Sequence, residues 1–184
     1  MNIDLNKGPI VLDNFLNQHD LEKLIFQLDT HRWQYGNTSY EGSQHKFWFQ
    51  LHYNSDKNVK SAYNFIHTHI TEYIKNKVNL NLKLCRAHAN GQTYGQNGEF
   101  HIDNHNSFKK YMTCIIYLTP EVNEKNKFTY EGCTEFHIND MVLSVHPVFN
   151  RAVFFNSEIP HKGTCFNRFK SELRVSMAYV FEVL

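Results

Sequence analysis

The sequence predicts a mainly β fold with some α, a small barrel or jelly roll buttressed by N-terminal helices, and three observations support this. From residue 80 onward, short β-like runs follow one another closely. Turn-forming dipeptides separate those runs. Before residue 80, apolar side chains recur at helical spacing instead. Roughly eight short strands at such spacing form a closed or double-layered sheet, and the helices would pack on one sheet from outside.

Taken in order, Asn17 offers an N-cap with Asp20 three residues later, and Leu21, Leu24, Ile25 and Leu28 mark a first helix. Residues 47–53 alternate like a strand. A second helix is expected over about residues 56–77, with Val59, Ala62, Tyr63, Ile66, Ile70, Tyr73 and Ile74 on its apolar face. The region from Trp33 to Trp48, with Tyr35, Tyr40 and Phe47, has two readings: a lid over a site, or packing against the helices, which is preferred. Strands are then expected at 80–89, 100–103, 110–118, 134–137, 141–146, 151–155, 161–166 and 172–181. Asn90-Gly91, Asn97-Gly98, Asn139-Asp140 and Asn156-Ser157 supply turns between them. No repeat or low-complexity linker interrupts the chain, so one domain is expected over residues 1–184, with helical support to about residue 79 and the β core from about residue 80.

Composition narrows the function classes. Hydrophobic residues make up 41% of the 184 and aromatics 15%, with 15 Phe and 10 Tyr, which suits a β-rich protein with a large core. Nineteen basic residues nearly balance eighteen acidic ones, so the chain lacks the footprint of a general nucleic-acid binder. No apolar stretch is long enough for a membrane span and no export signal is evident, so a cytoplasmic protein without membrane attachment is expected, as a monomer or small homo-oligomer. Cys85, Cys114, Cys133 and Cys165 form no CxxC pair and read as four free buried thiols rather than disulfides or a zinc site.

One segment carries chemistry: residues 94–105, running Tyr94-Gly-Gln-Asn-Gly98-Glu-Phe-His101-Ile-Asp103-Asn-His105. In a strand, alternation puts His101 and Asp103 on one face, where an imidazole and a carboxylate reach the same ion. Two histidines and a carboxylate on one face of Fe(II) leave three positions open, the number needed by a chelating 2-oxo acid and O₂. The dipeptide spacing alone is weak, because this composition yields about one such pair by chance. Support comes downstream. His161, in Pro160-His161-Lys162-Gly163, follows an apolar run and can supply a third ligand from a neighbouring strand. In the last run Arg174 and Ser176 share one face and Val175, Met177, Tyr179 and Phe181 the other. A buried arginine needs an anionic partner, and its fork fits a carboxylate.

An HxD pair, a distal histidine and an Arg-x-Ser opening the last strand resemble the signature of the Fe(II)/2-oxoglutarate-dependent dioxygenases. The stretch from Cys85 to Phe181 looks most like the prolyl 4-hydroxylase-like branch, including its bacterial and phage members. The Gly-rich turn of residues 94–98, Thr113-Cys-Ile-Ile-Tyr117-Leu118, and the tract of residues 147–155 before Pro160-His161 carry the likeness. The resemblance implies a double-stranded β-helix (jelly-roll, cupin-like) core and a catalytic iron held by His101, Asp103 and His161. It implies Arg174 as the anchor of the distal 2-oxoglutarate carboxylate, with Tyr117, Ser176 and Tyr94 as further cosubstrate contacts. Lys170 and Arg168 are alternative anchors, because the gap from His161 to Arg174 is slightly long. Glu131-Gly132-Cys133-Thr134 stands where the family has Gly-Gly before Glu-Thr, which puts that local turn in question.

The implied cofactors are Fe(II), 2-oxoglutarate and O₂, with ascorbate as an optional reductant. The implied reaction hydroxylates an unactivated C–H bond and releases succinate and CO₂. Halogenation is disfavoured because Asp103 is present. Peptidyl proline is the leading substrate, ahead of a free amino acid or other small metabolite. A non-catalytic metal- or sugar-binding barrel is the reading from another class. His105 reads as a loop residue with a possible substrate contact, and His88, His137 and His146 as core or surface histidines.

Overall fold

The computed structural model describes residues 8–103 and 108–184; His105 lies outside the described residues. The order is β1 (Ile10–Leu12), α1 (Gln18–Thr30), β2 (Gln34–Asn37), β3 (Phe47–Asn54), β4 (Val59–Lys60), α2 (Asn64–Val78) and β5 (Leu82–Gln92). Then follow β6 (Tyr111–Tyr117), α3 (Lys127–Tyr130), β7 (Thr134–Ile138), β8 (Met141–Val145), β9 (Ala152–Asn156), β10 (His161–Gly163) and β11 (Arg174–Val183). A major antiparallel sheet runs β1-β9-β6-β11-β5-β3-β2, with β4 on β3, and a minor sheet runs β10-β7-β8. The sheets face each other as a double-stranded β-helix.

Alternation along the strands splits the core into two layers. On the outer face of the major sheet, Ala87, Ala89, Cys114, Ile116, Met177 and Tyr179 meet Leu21, Leu24, Ile66, Ile70 and Ile74 of the two helices. On its inner face Ile115, Tyr117, Val153, Phe155 and Ala178 meet Phe136 and Val145 of the minor sheet. The central strands are buried on both sides, so β6 and β9 read as almost unbroken apolar runs. The first helix begins as its sequence indicates: the Asn17 side chain accepts from the Asp20 amide at 3.0 Å.

The structure departs from the sequence reading at several points. The second helix starts at Asn64, because the Asn54 side chain accepts from the Asp56 and Lys57 amides and turns β3 back into β4. Val59 is therefore in a strand. Asn90-Gly91 is no turn but the inner end of β5, paired with β11 and β3. A Cβ on Gly91 would lie 2.9 Å from both Leu173 and Trp33, so close packing explains the glycine. Residues 100–103 form only a single bridge, His101 to His161. Asn139-Asp140 does form the two-residue turn of the β7–β8 hairpin, both residues at positive φ. The four cysteines are free, but only Cys114 is fully buried. Among the described residues no helix is long and apolar enough to cross a membrane.

A buried polar chain lies under the helices. The Gln27 amide donates to His52 Nδ1 and His67 Nε2, both at 2.7 Å. His52 Nε2 must then carry a proton, donated to Gln50 Oε1 at 3.1 Å, and His67 Nδ1 donates to the Tyr179 hydroxyl at 3.1 Å. Gln50 in turn donates to the carbonyls of Leu28 and His31, each at 2.9 Å. Burial, reinforced by neighbouring histidines, pushes the pKa down to about 2 at His52 and about 4 at His67. Both are neutral in the folded state and titrate near 6.5 when unfolded. Their stabilisation is therefore complete above pH 6.5 and is lost as pH falls toward the folded values.

As pH falls from 6.5 to 5, each of these histidines should destabilise the fold with a slope that rises toward about 1.4 kcal/mol per pH unit. Burial also lowers His88, His146 and His161, so the comparison with a variant isolates the effect. Urea unfolding of His67→Gln should show a stability-versus-pH slope shallower by one proton; an unchanged slope would refute the account.

Candidate active site

His101, Asp103 and His161 come together at the gap between the two sheets. His101 and His161 form an antiparallel bridge, N–H to carbonyl at 3.0 and 2.9 Å, which extends the minor sheet beyond β10. The Asp103 amide donates to the Ser157 carbonyl at 3.0 Å, fixing the segment's exit. Each imidazole Nδ1 lies against a carbonyl, Glu99 at 2.9 Å and Ile159 at 3.0 Å. A carbonyl can only accept, so both Nδ1 atoms carry the proton and both Nε2 lone pairs are free. Those Nε2 atoms sit 3.8 and 3.5 Å from the Asp103 carboxylate oxygens, and the three ligand atoms lie within 4.8 Å of one another. Two neutral imidazoles and a carboxylate on one side suit a divalent ion such as Fe(II).

Asp103 is braced on both oxygens. Thr113 donates to Oδ2 at 2.6 Å and Arg86 to Oδ1 at 3.2 Å. The single Thr113 proton goes to Asp103, so the Ser157 hydroxyl 2.8 Å away donates to Thr113. Burial opposes ionisation of Asp103, but His161, Arg86, His101 and the Thr113 hydroxyl outweigh it and hold the pKa at about 2. The carboxylate is thus charged and aimed at any physiological pH.

Arg174 opens β11 opposite Gln92 of β5 and is 2% exposed. Its guanidinium donates to the Gly132 carbonyl at 2.6 Å, Gln92 Oε1 at 2.9 Å and Thr134 Oγ1 at 3.0 Å. All three partners are neutral, and burial pulls the pKa below its ordinary value. Two glycines permit this cradle. A Cβ on Gly132, at φ +69°, would lie 2.5 Å from Phe166, and one on Gly163 would lie 2.8 Å from Gln92 Oε1. The turn at residues 131–134 is therefore built to bring a carbonyl onto Arg174.

A cavity of about 400 Å³ joins the two groups, lined by His101, Asp103 and His161 and also by Arg174 and Ser176. Tyr117 lies behind this wall. Its ring is 5.6 Å from the Arg174 guanidinium and its hydroxyl donates to Thr134 at 2.7 Å, with burial pushing its pKa up to about 12. Tyr94 is not brought to the cavity; it is 62% exposed, in an outer depression with Cys165 and Phe169. Lys170 also points away, its ammonium 4.1 Å from the Tyr130 ring centre, and Arg168 lies over Phe169.

Sequence reasoning missed the inner face of β5. Arg86, His88, Asn90 and Gln92 all line the cavity, while Ala87 and Ala89 face the helices. The period-two pattern Arg-Ala-His-Ala-Asn-Gly-Gln was the available signal, but such a pattern fits a solvent face equally well. Thr113 and Thr134 were likewise hidden inside apolar strands. The end of β2 and the segment after it face the cavity through Asn37, Thr38, Ser39, Tyr40 and Glu41, as the lid reading had it, whereas Trp33 packs with the helix-side core.

With this geometry in view, comparisons with known proteins agree. The model of the 2OG-Fe(II) oxygenase superfamily matches residues 87–181. No curated protein sequence matches the chain. Among solved structures, an oxidoreductase of the 2OG-Fe(II) oxygenase family from Burkholderia pseudomallei superposes with a TM-score of 0.75 at 11% identity, covering 96% of this chain and 85% of that one. A prolyl-4-hydroxylase from Pseudomonas putida gives 0.69 at 16% identity, covering 95% and 92%. A prolyl hydroxylase from Trichoplax adhaerens, in complex with a hypoxia inducible factor peptide fragment, gives 0.68 at 15% identity, covering 97% and 85%. At these identities the likeness is one of fold, whereas the family match covers more than half of the sequence. The chain belongs to the 2OG-Fe(II) oxygenase superfamily and is a 2-oxoglutarate-dependent dioxygenase with Fe(II) and 2-oxoglutarate as its cofactors.

Proposed function

We propose that His101, Asp103 and His161 hold the Fe(II), that Arg174 receives the distal carboxylate of 2-oxoglutarate, and that the enzyme hydroxylates an unactivated C–H bond. The observation that carries this reading is a fully buried guanidinium with only neutral partners, facing the same cavity as the His-Asp-His cluster. A cation so placed lacks a counter-ion, and a dicarboxylic acid reaching across the cavity supplies one. Iron, 2-oxoglutarate and O₂ together supply the oxidant: the cosubstrate leaves as succinate and CO₂, one oxygen atom going to succinate and the other to the substrate as hydroxyl. The chain's own part is to aim two Nε2 lone pairs and a carboxylate and to hold Arg174 ready. Ser176, on the cavity face of β11, would add a hydroxyl contact to the same carboxylate, and Tyr117 would stiffen the Arg174 cradle through its bond to Thr134.

Peptidyl proline is the first substrate to test, supported by the prolyl hydroxylases among the proteins of like fold. Residues 1–184 would act as one catalytic domain, because the first strand, β1, and the last, β11, lie in the same sheet.

Arg174→Ala should leave metal affinity within about threefold of wild type but weaken 2-oxoglutarate binding by at least about a hundredfold, consistent with loss of a buried charge-assisted pair. Calorimetry with Mn(II) and 2-oxoglutarate reads both, and unaltered cosubstrate affinity would remove Arg174 from the role. Thr113→Val deletes the brace on Asp103 and should lower metal affinity about 10- to 100-fold; an affinity equal to wild type would show that the hydroxyl does not position the carboxylate.

A further inference from the structure

The inner face of β5 offers more polar capacity than the proposed iron and cosubstrate sites use. Arg86, His88 and Asn90 stand two residues apart along the cavity wall. Each buries a polar atom (Nε, Nδ1 and Oδ1 respectively) that has no hydrogen-bond partner among the described residues. Their neighbours across the sheet leave these atoms unmet. His88 faces Ala178 on β11 and Leu51 on β3; Arg86 faces Val180 and Asn54, and Asn90 faces Ser176 and Phe49, yet neither polar neighbour bonds the unpartnered atom. Buried polar atoms without partners are costly in a finished fold, and beside a cavity they are met when a ligand enters.

Charge gives the sign of that ligand. The charged side chains lining the cavity are Glu41 and Asp103 against Lys57, Arg86 and Arg174, a net of one positive charge with the histidines neutral. A divalent iron and the dianion of 2-oxoglutarate cancel each other, so the loaded cavity keeps that charge. With 2-oxoglutarate on Arg174, Arg86 is the cavity guanidinium whose counter-charge, Asp103, is shared with the metal site. One of its terminal nitrogens is on Asp103 Oδ1 at 3.2 Å, while its Nε is unpartnered. Once Asp103 shares its charge with a metal, the Arg86 guanidinium, whose side chain is 36% exposed, keeps free donors for an entering anion.

We propose that the substrate carries a carboxylate, received by Arg86 with His88 beside it, and that Arg86 is a specificity-determining residue. The inference rests on the site reading above and narrows its substrate. Two sources present such a group: the free carboxylate of an amino or imino acid, and an Asp or Glu side chain next to the reacting residue of a peptide. The shared chemistry is a single carboxylate within reach of Arg86 while the reacting carbon faces the iron.

The test loads the full chain with Fe(II) and saturating 2-oxoglutarate and compares matched acids and amides. One arm uses the free L-amino acids, proline included, against their amides. The other uses amidated proline peptides with Glu or Asp beside proline against the same peptides with Gln or Asn. Anaerobic calorimetry reads binding, and succinate release in air reads stimulation over the substrate-free rate. An acid in one arm should bind at least about tenfold tighter than its amide and raise succinate release; the arm in which it appears identifies the source. Arg86→Gln should erase the preference for the acid, and Arg86→Lys should restore part of it. Equal binding of acids and amides, no binding by any acid in either arm, or an Arg86→Gln protein that still prefers the acid overturns the proposal. Substrate-free succinate release by the wild-type protein separates the two readings. Its absence counts against the iron and cosubstrate assignment, whereas its presence without acid preference counts only against the carboxylate.

Discussion

The pairing of β11 with β5 fixes which side chains see the cavity and which see the helices. Arg174 stands opposite Gln92, Ser176 opposite Asn90 and Ala178 opposite His88, so the inner faces of both strands form one polar wall. A slip of one residue would turn the slipped strand's part of that wall outward, bringing Met177 and Tyr179 of β11 or Ala87 and Ala89 of β5 inside. The outer layer prevents the slip. Those four residues are packed under α1 and α2, and the Tyr179 hydroxyl closes the hydrogen-bond chain that runs through His67, Gln27 and His52. One face of β11 therefore holds the register that the chemistry on its other face requires.

Polar groups buried in such a wall must be met, and the fold meets them unevenly. Asp103 is fully engaged by Thr113 and Arg86, which aims its remaining lone pairs toward the imidazoles. Arg174 has three neutral partners for its five N–H donors and no opposite charge. Arg86, His88 and Asn90 each keep one polar atom unpaired. This gradient from satisfied to unsatisfied separates the parts of the cavity that shape the protein from the parts that await a ligand.

Much of this was legible in the sequence, and the reasons are specific. The Asn17 cap and the Leu21, Leu24, Leu28 spacing gave α1, and apolar alternation with Arg174 and Ser176 on one face gave β11. The order HxD, His, Arg-x-Ser named the residues that converge on the cavity. Where the reading failed, a tertiary contact overrode a local signal. Asn90-Gly91 has turn chemistry, but Trp33 and Leu173 press on Gly91 and keep it in a strand. At Val59 the contest was local: the apolar spacing looks helical, but the Asn54 side chain closes the turn that pairs β4 with β3. Tyr94 sits in a Gly-rich turn whose direction no pattern of residue types records, and it points outward. The cavity face of β5 could not be told from a solvent face until its partner strands were known.

The central claim is that His101, Asp103, His161 and Arg174 hold iron and 2-oxoglutarate together in one cavity. Anaerobic titration of the protein with Fe(II) and 2-oxoglutarate, followed by admission of air, tests it most directly. The account predicts a weak visible charge-transfer band that saturates at one equivalent of each, then succinate release even without substrate. With iron loading verified by metal analysis, no band and no succinate would contradict it.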